Sequence, residues 1–104
     1  MNKIFFTVTG TRHKYGHKFM EKDMKVHLVK EPDNDYDKEA IKVMIEGLGH
    51  IGYVANNPYT VVGECVSAGR LYDKIGDEAD GTVLYNIPQG LICTVDSKSI
   101  KKKI

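Results

Sequence analysis

The stretch LVKEPDNDYDKEAIKV, Leu28 to Val43, decides how this chain is read. It begins as the end of one alternating apolar run and finishes as the start of another. Between them, five of the nine residues from Glu31 to Glu39 are acidic. Alternation on both sides predicts two strands, with Val26 and Leu28 on one face of the first and Ile41, Val43 and Ile45 on one face of the second. Pro32 removes a backbone donor and ends the first strand. Asp and Asn bond their own backbone, so the acid-rich middle predicts a turn.

Further strands are predicted on either side. Residues 4–9, IFFTVT, alternate and are rich in β-branched and aromatic side chains. Residues Gly10 to Asp23 are polar and read as a long loop, a length that points to function. GLG at 47–49 is a short hairpin loop, and HIGYVA at 50–55 is a strand. Gly52 within it predicts a bulge or a close backbone approach. A helix of up to three turns is predicted over NNPYTVVGECVSAG, with Asn57 as N-cap, Pro58 in its first turn and Gly69 at its end. RLYDKI is read as a short strand and GDEADG as a loop. TVLYNI and LICTV are read as strands joined at PQG. The tail DSKSIKKKI is read as basic and frayed. These elements predict one mainly β domain, a small barrel of about six strands with one or two short helices, spanning residues 1–96, with a basic tail at 97–104.

The chain has 104 residues, 41% of them hydrophobic. A domain of this size buries roughly two-thirds of the surface its unfolded chain exposes, so neither disulfides nor metal is needed. Cys65 and Cys93 lie in apolar runs and read as reduced core thiols. No apolar stretch reaches the ~18 residues of a membrane span, and the start has no signal-cleavage pattern. A reducing, cytoplasmic setting is expected. The net charge of +1 hides an uneven distribution. Residues 1–30 carry seven Lys/Arg against two Asp/Glu, whereas residues 31–80 carry four against eleven. A local basic zone attracts phosphates even on a near-neutral chain.

Several sites fail on spacing. Asp33, Asp35 and Asp37 match the first three ligand positions of an EF-hand. The loop then needs glycine where Lys38 stands and a carboxylate where Met44 stands. A metal-dependent nuclease gathers carboxylates from several strands, and these come from one loop. His13 and His17 lie in a loop, and the cysteines have no ligand pair beside them, so no zinc site is expected. Nucleophilic catalysis by Cys65 needs a base that the sequence does not place. No metal or cofactor is predicted, and no catalytic residue.

Glu31, Pro32, Asn34, Tyr36, Asp37, Ala40, Ile41 and Val43, followed by Gly52, Tyr53 and Val54, resemble the motif of the HIRAN domain. GTRHKYG, from Gly10, resembles that family's glycine-x-arginine segment. The resemblance covers roughly residues 3 to 95. It implies an OB-like β-barrel that binds single-stranded DNA at a 3′ end, in DNA repair or processing, and not an enzyme. Carried over by position, the DNA contacts are Gly10, Arg12, His13, Lys14, Tyr15, Asn34, Tyr36, Asp37, Tyr53 and Asn56. His13 and Lys14 stand where DNA-gripping members have aromatics, and Asn56 stands where a lysine is common. The implied partners are single-stranded DNA and a helicase or nuclease, with no membrane. Two other readings remain: a protein-interaction module recruited to a helicase or nuclease, and a metal-dependent nuclease.

The residue types agree with the resemblance on their own chemistry. Tyr36 offers a flat face for a base, or packs the turn. Arg12 and Lys14 can neutralise phosphates, or stay mobile on the surface. Asn34 can bond a base edge or cap the turn. A carboxylate suits a terminal hydroxyl donor and repels a phosphate.

Overall fold

A computed structural model describes residues 3–10 and 21–101. Strand β1 is Phe5–Thr9, β2 Lys25–Lys30, β3 Ile41–Ile45, β4 Gly49–Val54, β5 Glu78–Ile87 and β6 Gly90–Val95. A five-residue helix, α1, spans Ala68–Tyr72, and a 3₁₀ turn spans Ser97–Ser99. All strand pairs are antiparallel, in the order β1-β4-β3-β2-β5-β6, and β6 returns to β1 to close the barrel. The expected mainly β, six-strand barrel is therefore the fold. Among the described residues, closure pairs each strand on both sides, which protects its edges.

Alternation fills the interior. Phe6 and Val8, Val26 and Leu28, Ile41, Val43 and Ile45, and Leu91, Cys93 and Val95 all point inward and are buried. Leu71 and Ile75, from α1 and the turn after it, join the same core. Burying each side chain of this size contributes about 1.5–3 kcal/mol.

Gly52 shows both features expected of it. The register of β3 against β4 shifts between Val43 and Met44, opposite Gly52 and His50, which is a bulge. A Cβ at Gly52 would also clash with the Thr9 carbonyl oxygen. Hydrogen alone lets β4 reach β1 there. A second register shift, between Val83 and Tyr85, bends the long β5. Bulges increase local twist, which a closed small barrel requires.

The structure corrects four expectations. The helix begins at Ala68, capped by Ser67, and not at Asn57. Helical spacing over Val62–Gly69 lost to the needs of β1. The Val62 amide donates to the buried Thr7 hydroxyl at 3.1 Å, and the Val66 amide donates to the Phe5 carbonyl at 2.8 Å. Both bonds hold the segment along β1, and Gly63 turns there with φ +54°. RLYDKI accordingly contains helix and turn, not a strand. GDEADG is not all loop, because β5 begins at Glu78 and its Asp80 pairs with His27. The tail is docked as far as described: Ile100 bridges Ile75, and the Lys101 amide donates to the Lys74 carbonyl. Of the two free thiols, Cys93 is buried, its pKa pushed up to about 12 by burial first and by Cys65 second. Cys65 is only half-buried.

One cross-strand contact depends on pH. His27 on β2 faces β5, its Nδ1 2.8 Å from Asp80 and its Nε2 2.6 Å from Glu78. Both ring nitrogens can donate only in the imidazolium form. Hydrogen bonding to Asp80, then to Glu78, raises the pKa above the usual 6.5 against the opposing effect of burial. The charged form is therefore favoured by folding, and the contact stabilises fully below pH 6.5. That contribution is lost as pH rises through the raised folded value. Melting temperature should fall across that window in the native chain and change less in His27→Gln. Parallel curves for the two would remove the clamp from the stability of the β2–β5 pair.

Candidate nucleic-acid interface

The acid-rich segment between β2 and β3 is a closed turn. The Glu31 amide donates to the Ala40 carbonyl at 2.9 Å and shuts its neck. The Asn34 side chain organises the interior. Its Oδ1 accepts from the Tyr36 amide at 2.9 Å and the Asp37 amide at 3.0 Å, and its Nδ2 donates to Glu31 Oε1 at 3.2 Å. The Asp37 Oδ1 repeats the device, accepting from the Glu39 amide at 2.9 Å. Asn34 thus caps the turn, and both ends of its amide are engaged there.

That scaffold leaves Tyr36 99% exposed. A core role for it is excluded. A large aromatic costs free energy when fully hydrated, and here fixed backbone bonds on either side hold it at the surface. Asp37, beside it, is half-buried. Its Oδ2 accepts from Asn56 Nδ2 at 2.8 Å, and Asn56 Oδ1 accepts from the Gly69 amide at 2.8 Å. Asn56, just past β4, therefore ties the turn to α1. Among the described residues, each Asp37 oxygen accepts from one donor and retains a lone pair.

Tyr53 is placed by register. It lies on β4 opposite Lys42 of β3 and Thr9 of β1. Its hydroxyl donates to Glu31 Oε1 at 2.8 Å, and its ring meets His50 edge-on at 4.8 Å. Burial pushes the Glu31 carboxyl up, but donors from Tyr53 and Asn34, aided by Lys42 and His50, hold it below the usual range. The Tyr53 hydroxyl shifts the opposite way, raised by burial and by its bond to Glu31. Lys42 Nζ lies 3.7 Å from Glu31 Oε2.

Two adjoining grooves run past Tyr36. One is lined by Lys30, Glu31, Pro32, Asn34, Lys42 and Tyr53. The other is lined by Asn34, Tyr36, Asp37, Ala40, Tyr53 and Val54. Lys30 is not a loose charge in the first: its Nζ donates to the Ile75 carbonyl at 2.9 Å and sits 4.2 Å over the Tyr72 ring.

Of the ten residues named from sequence, the structure brings Asn34, Tyr36, Asp37, Tyr53 and Asn56 together. Gly10 follows β1 beside Gly52, with φ +86°. Arg12, His13, Lys14 and Tyr15 lie outside the described residues. Sequence reasoning missed Glu31 as the shared acceptor of Tyr53 and Asn34. The signal was available in part: Glu31 belongs to the motif, and Tyr53 faces Lys42 once the hairpin register is fixed. Ala40 and Val54, which also line the second groove, belong to the motif, but their apolar side chains gave no sign of a place at the site. Among the described residues, no group of three or more His, Cys, Asp or Glu is arranged to hold a metal ion, and no helix is long and apolar enough to cross a membrane.

A closed, antiparallel, six-stranded barrel presenting an aromatic turn defines an OB-like binding module. The chain belongs to the HIRAN domain family, whose profile matches residues 1–91. HIRAN domains are known as DNA-binding modules. The fold is similar to the crystal structure of the HIRAN domain of human HLTF, with a TM-score of 0.59 and 22% sequence identity over 90% of this chain and 74% of that one. A comparison with curated proteins gave no match.

Tyr53→Phe should test how the turn is held. It leaves the Glu31 acceptor without one donor in a half-buried place, at a cost of about 1 kcal/mol. The Glu31 pKa should rise towards its ordinary value, measured by carbon-detected NMR titration. An unchanged Glu31 titration would show that the bond does not persist in solution.

Proposed function

We propose that this chain binds single-stranded DNA and recognises its 3′-hydroxyl end, in DNA repair or processing. The observation that carries the reading is Tyr36, fully exposed on a closed turn beside a carboxylate with acceptor capacity to spare. In this reading the last base stacks on Tyr36, and the terminal hydroxyl donates to Asp37. Tyr53 and Asn56 act at the rim, and Asn34 holds the turn that presents both groups. Gly10, Arg12, His13, Lys14 and Tyr15 complete the proposed contacts, with Arg12 and Lys14 on phosphates. The chain acts as a binder without a cofactor, and a helicase or nuclease partner supplies any strand separation or cleavage. Two free thiols suit a reducing compartment such as the cytoplasm.

Stacking and fold separate cleanly at Tyr36. Tyr36→Ala should weaken binding by about 1–3 kcal/mol and Tyr36→Phe by little. Because the side chain is exposed, neither should move the melting temperature. A fall in stability with binding intact would return Tyr36 to a structural role. Affinity should also fall with salt, with a log–log slope of about −1.4 to −2.1 for two to three phosphate contacts on a single strand.

End recognition has its own test. A hydroxyl bonded to a carboxylate is worth about 1.5–3 kcal/mol, and a 3′-phosphate both removes that donor and brings negative charge. Strands ending in 3′-hydroxyl should bind at least about tenfold tighter than 3′-phosphorylated ones, read by fluorescence anisotropy. Asp37→Asn should narrow the gap. Equal affinity for both ends would remove end recognition from the function.

A further inference from the structure

The sequence carries an N-x-Y pattern twice, at Asn34–Tyr36 and at Asn57–Tyr59. The structure gives both the same local form. Asn57 Oδ1 accepts from the Tyr59 amide at 2.8 Å, as Asn34 Oδ1 accepts from the Tyr36 amide at 2.9 Å. The second turn is closed by the Thr60 and Val61 amides, both donating to the Asn57 carbonyl. Tyr59 is 95% exposed, against 99% for Tyr36, and Tyr85 follows at 62%. Two tyrosines are thus held in water by one device, and nothing in the barrel core uses either ring.

The two turns are also joined. Asp37, next to Tyr36, accepts from Asn56, next to Asn57, at 2.8 Å. The covalent path from Asn56 to Tyr59 is three residues, and it is folded back by the turn. Consecutive Cα atoms lie about 3.8 Å apart, so the tyrosines stand a few nucleotides apart at most. The same junction holds α1 through the bond from the Gly69 amide to Asn56. Arg70, the next residue, is exposed and has no ion pair among the described residues. The Glu39 carboxylate lies against Gly69.

We infer that Tyr59 is a second base-stacking platform, taking a nucleotide internal to the one on Tyr36, with Arg70 of the adjoining helix for a phosphate. This rests on the single-strand reading above and extends its footprint. The occupant is single-stranded DNA because the patch continues the proposed interface through the Asp37–Asn56 bond. A stacking ring is indifferent to base identity, since every base has a π-face. Tyr59 therefore adds length dependence and not sequence preference. OB folds commonly take about 4–16 nucleotides, which leaves room for a platform beyond the terminal one.

The test uses the full chain and 3′-hydroxyl oligonucleotides of two lengths, a dinucleotide and a ten-nucleotide strand. Tyr59→Ala should weaken the longer strand about five- to hundredfold and leave the dinucleotide unchanged. Tyr36→Ala should weaken both. The chain has no tryptophan, so Tyr59→Trp introduces a single indole that can be excited apart from the tyrosines, and its fluorescence should be quenched by the longer strand and not by the dinucleotide. Tyr59→Ala binding both lengths as the native chain does, while Tyr36→Ala loses both, overturns the second platform and leaves the proposed function standing. Native chain that binds neither length overturns both. Because Tyr59 is exposed, its variants should melt with the native chain, and a lowered melting temperature would mark Tyr59 as structural and overturn the platform.

Discussion

The side-chain amide of Asn34 is the constraint on which the candidate face depends. Five acidic residues between Glu31 and Glu39 repel one another and favour an extended, solvated loop. Asn34 opposes this with three bonds: two backbone amides onto Oδ1, and Nδ2 onto Glu31. Together they fold the segment back so that the Glu31 amide reaches the Ala40 carbonyl. Without that closure β2 and β3 would still pair, because Val26, Leu28, Ile41 and Val43 are buried by the barrel. Tyr36 and Asp37 would have no fixed place. An unfixed tyrosine must be ordered at the moment of binding, and that ordering weakens affinity. Asn34, read from sequence as a base contact or a cap for the turn, caps the turn that carries the other two.

Much of the barrel was legible because its strands obey a period of two. β2, β3 and β6 bury alternate apolar residues, β1 does so with Thr7 buried as well, and each lies within about a residue of its expected bounds. The helix was not legible, because Val62, Cys65 and Val66 have helical spacing for a tertiary reason. They follow β1, whose Thr7 hydroxyl and Phe5 carbonyl need partners, and no local pattern reports that need. β5 was half-missed, since Glu78 and Asp80 look like loop residues. They tolerate a strand because His27 lies across from them on β2. Propensity weighs a residue alone, while a sheet weighs it with its cross-strand neighbour.

The site was legible where a motif fixed spacing and obscure where the fold supplied contacts. Tyr36 and Asp37 follow from a turn with aromatic and acid at its tip. The Asp37–Asn56 bond spans nineteen residues and depends on β4 running back beside the turn. So does the bond from Tyr53 to Glu31. Both are consequences of the β3–β4 hairpin, which returns the chain after the turn GLG. Once that register is known, the acids cease to be an undivided cluster. Glu31 is an internal anchor with three partners, Asp37 faces the groove with one partner on each oxygen, and Asp33 and Asp35 line the outer groove.

This division bears on how an acidic face can serve DNA. Residues 31–80 carry a net charge of −7, four basic against eleven acidic, so the turn repels a phosphate backbone running across it. Under the proposed function, that repulsion works as selection. An internal stretch of strand would bring phosphates on both sides of the base at Tyr36. A 3′ terminus brings a phosphate on one side only and an uncharged donor on the other. The carboxylate therefore need not attract the strand as a whole. It needs only to make one orientation less costly than the rest, while stacking and the basic residues of the first thirty supply the attraction. Specificity is a difference of affinities, and here a charge of the wrong sign for the polymer has the right sign for its end.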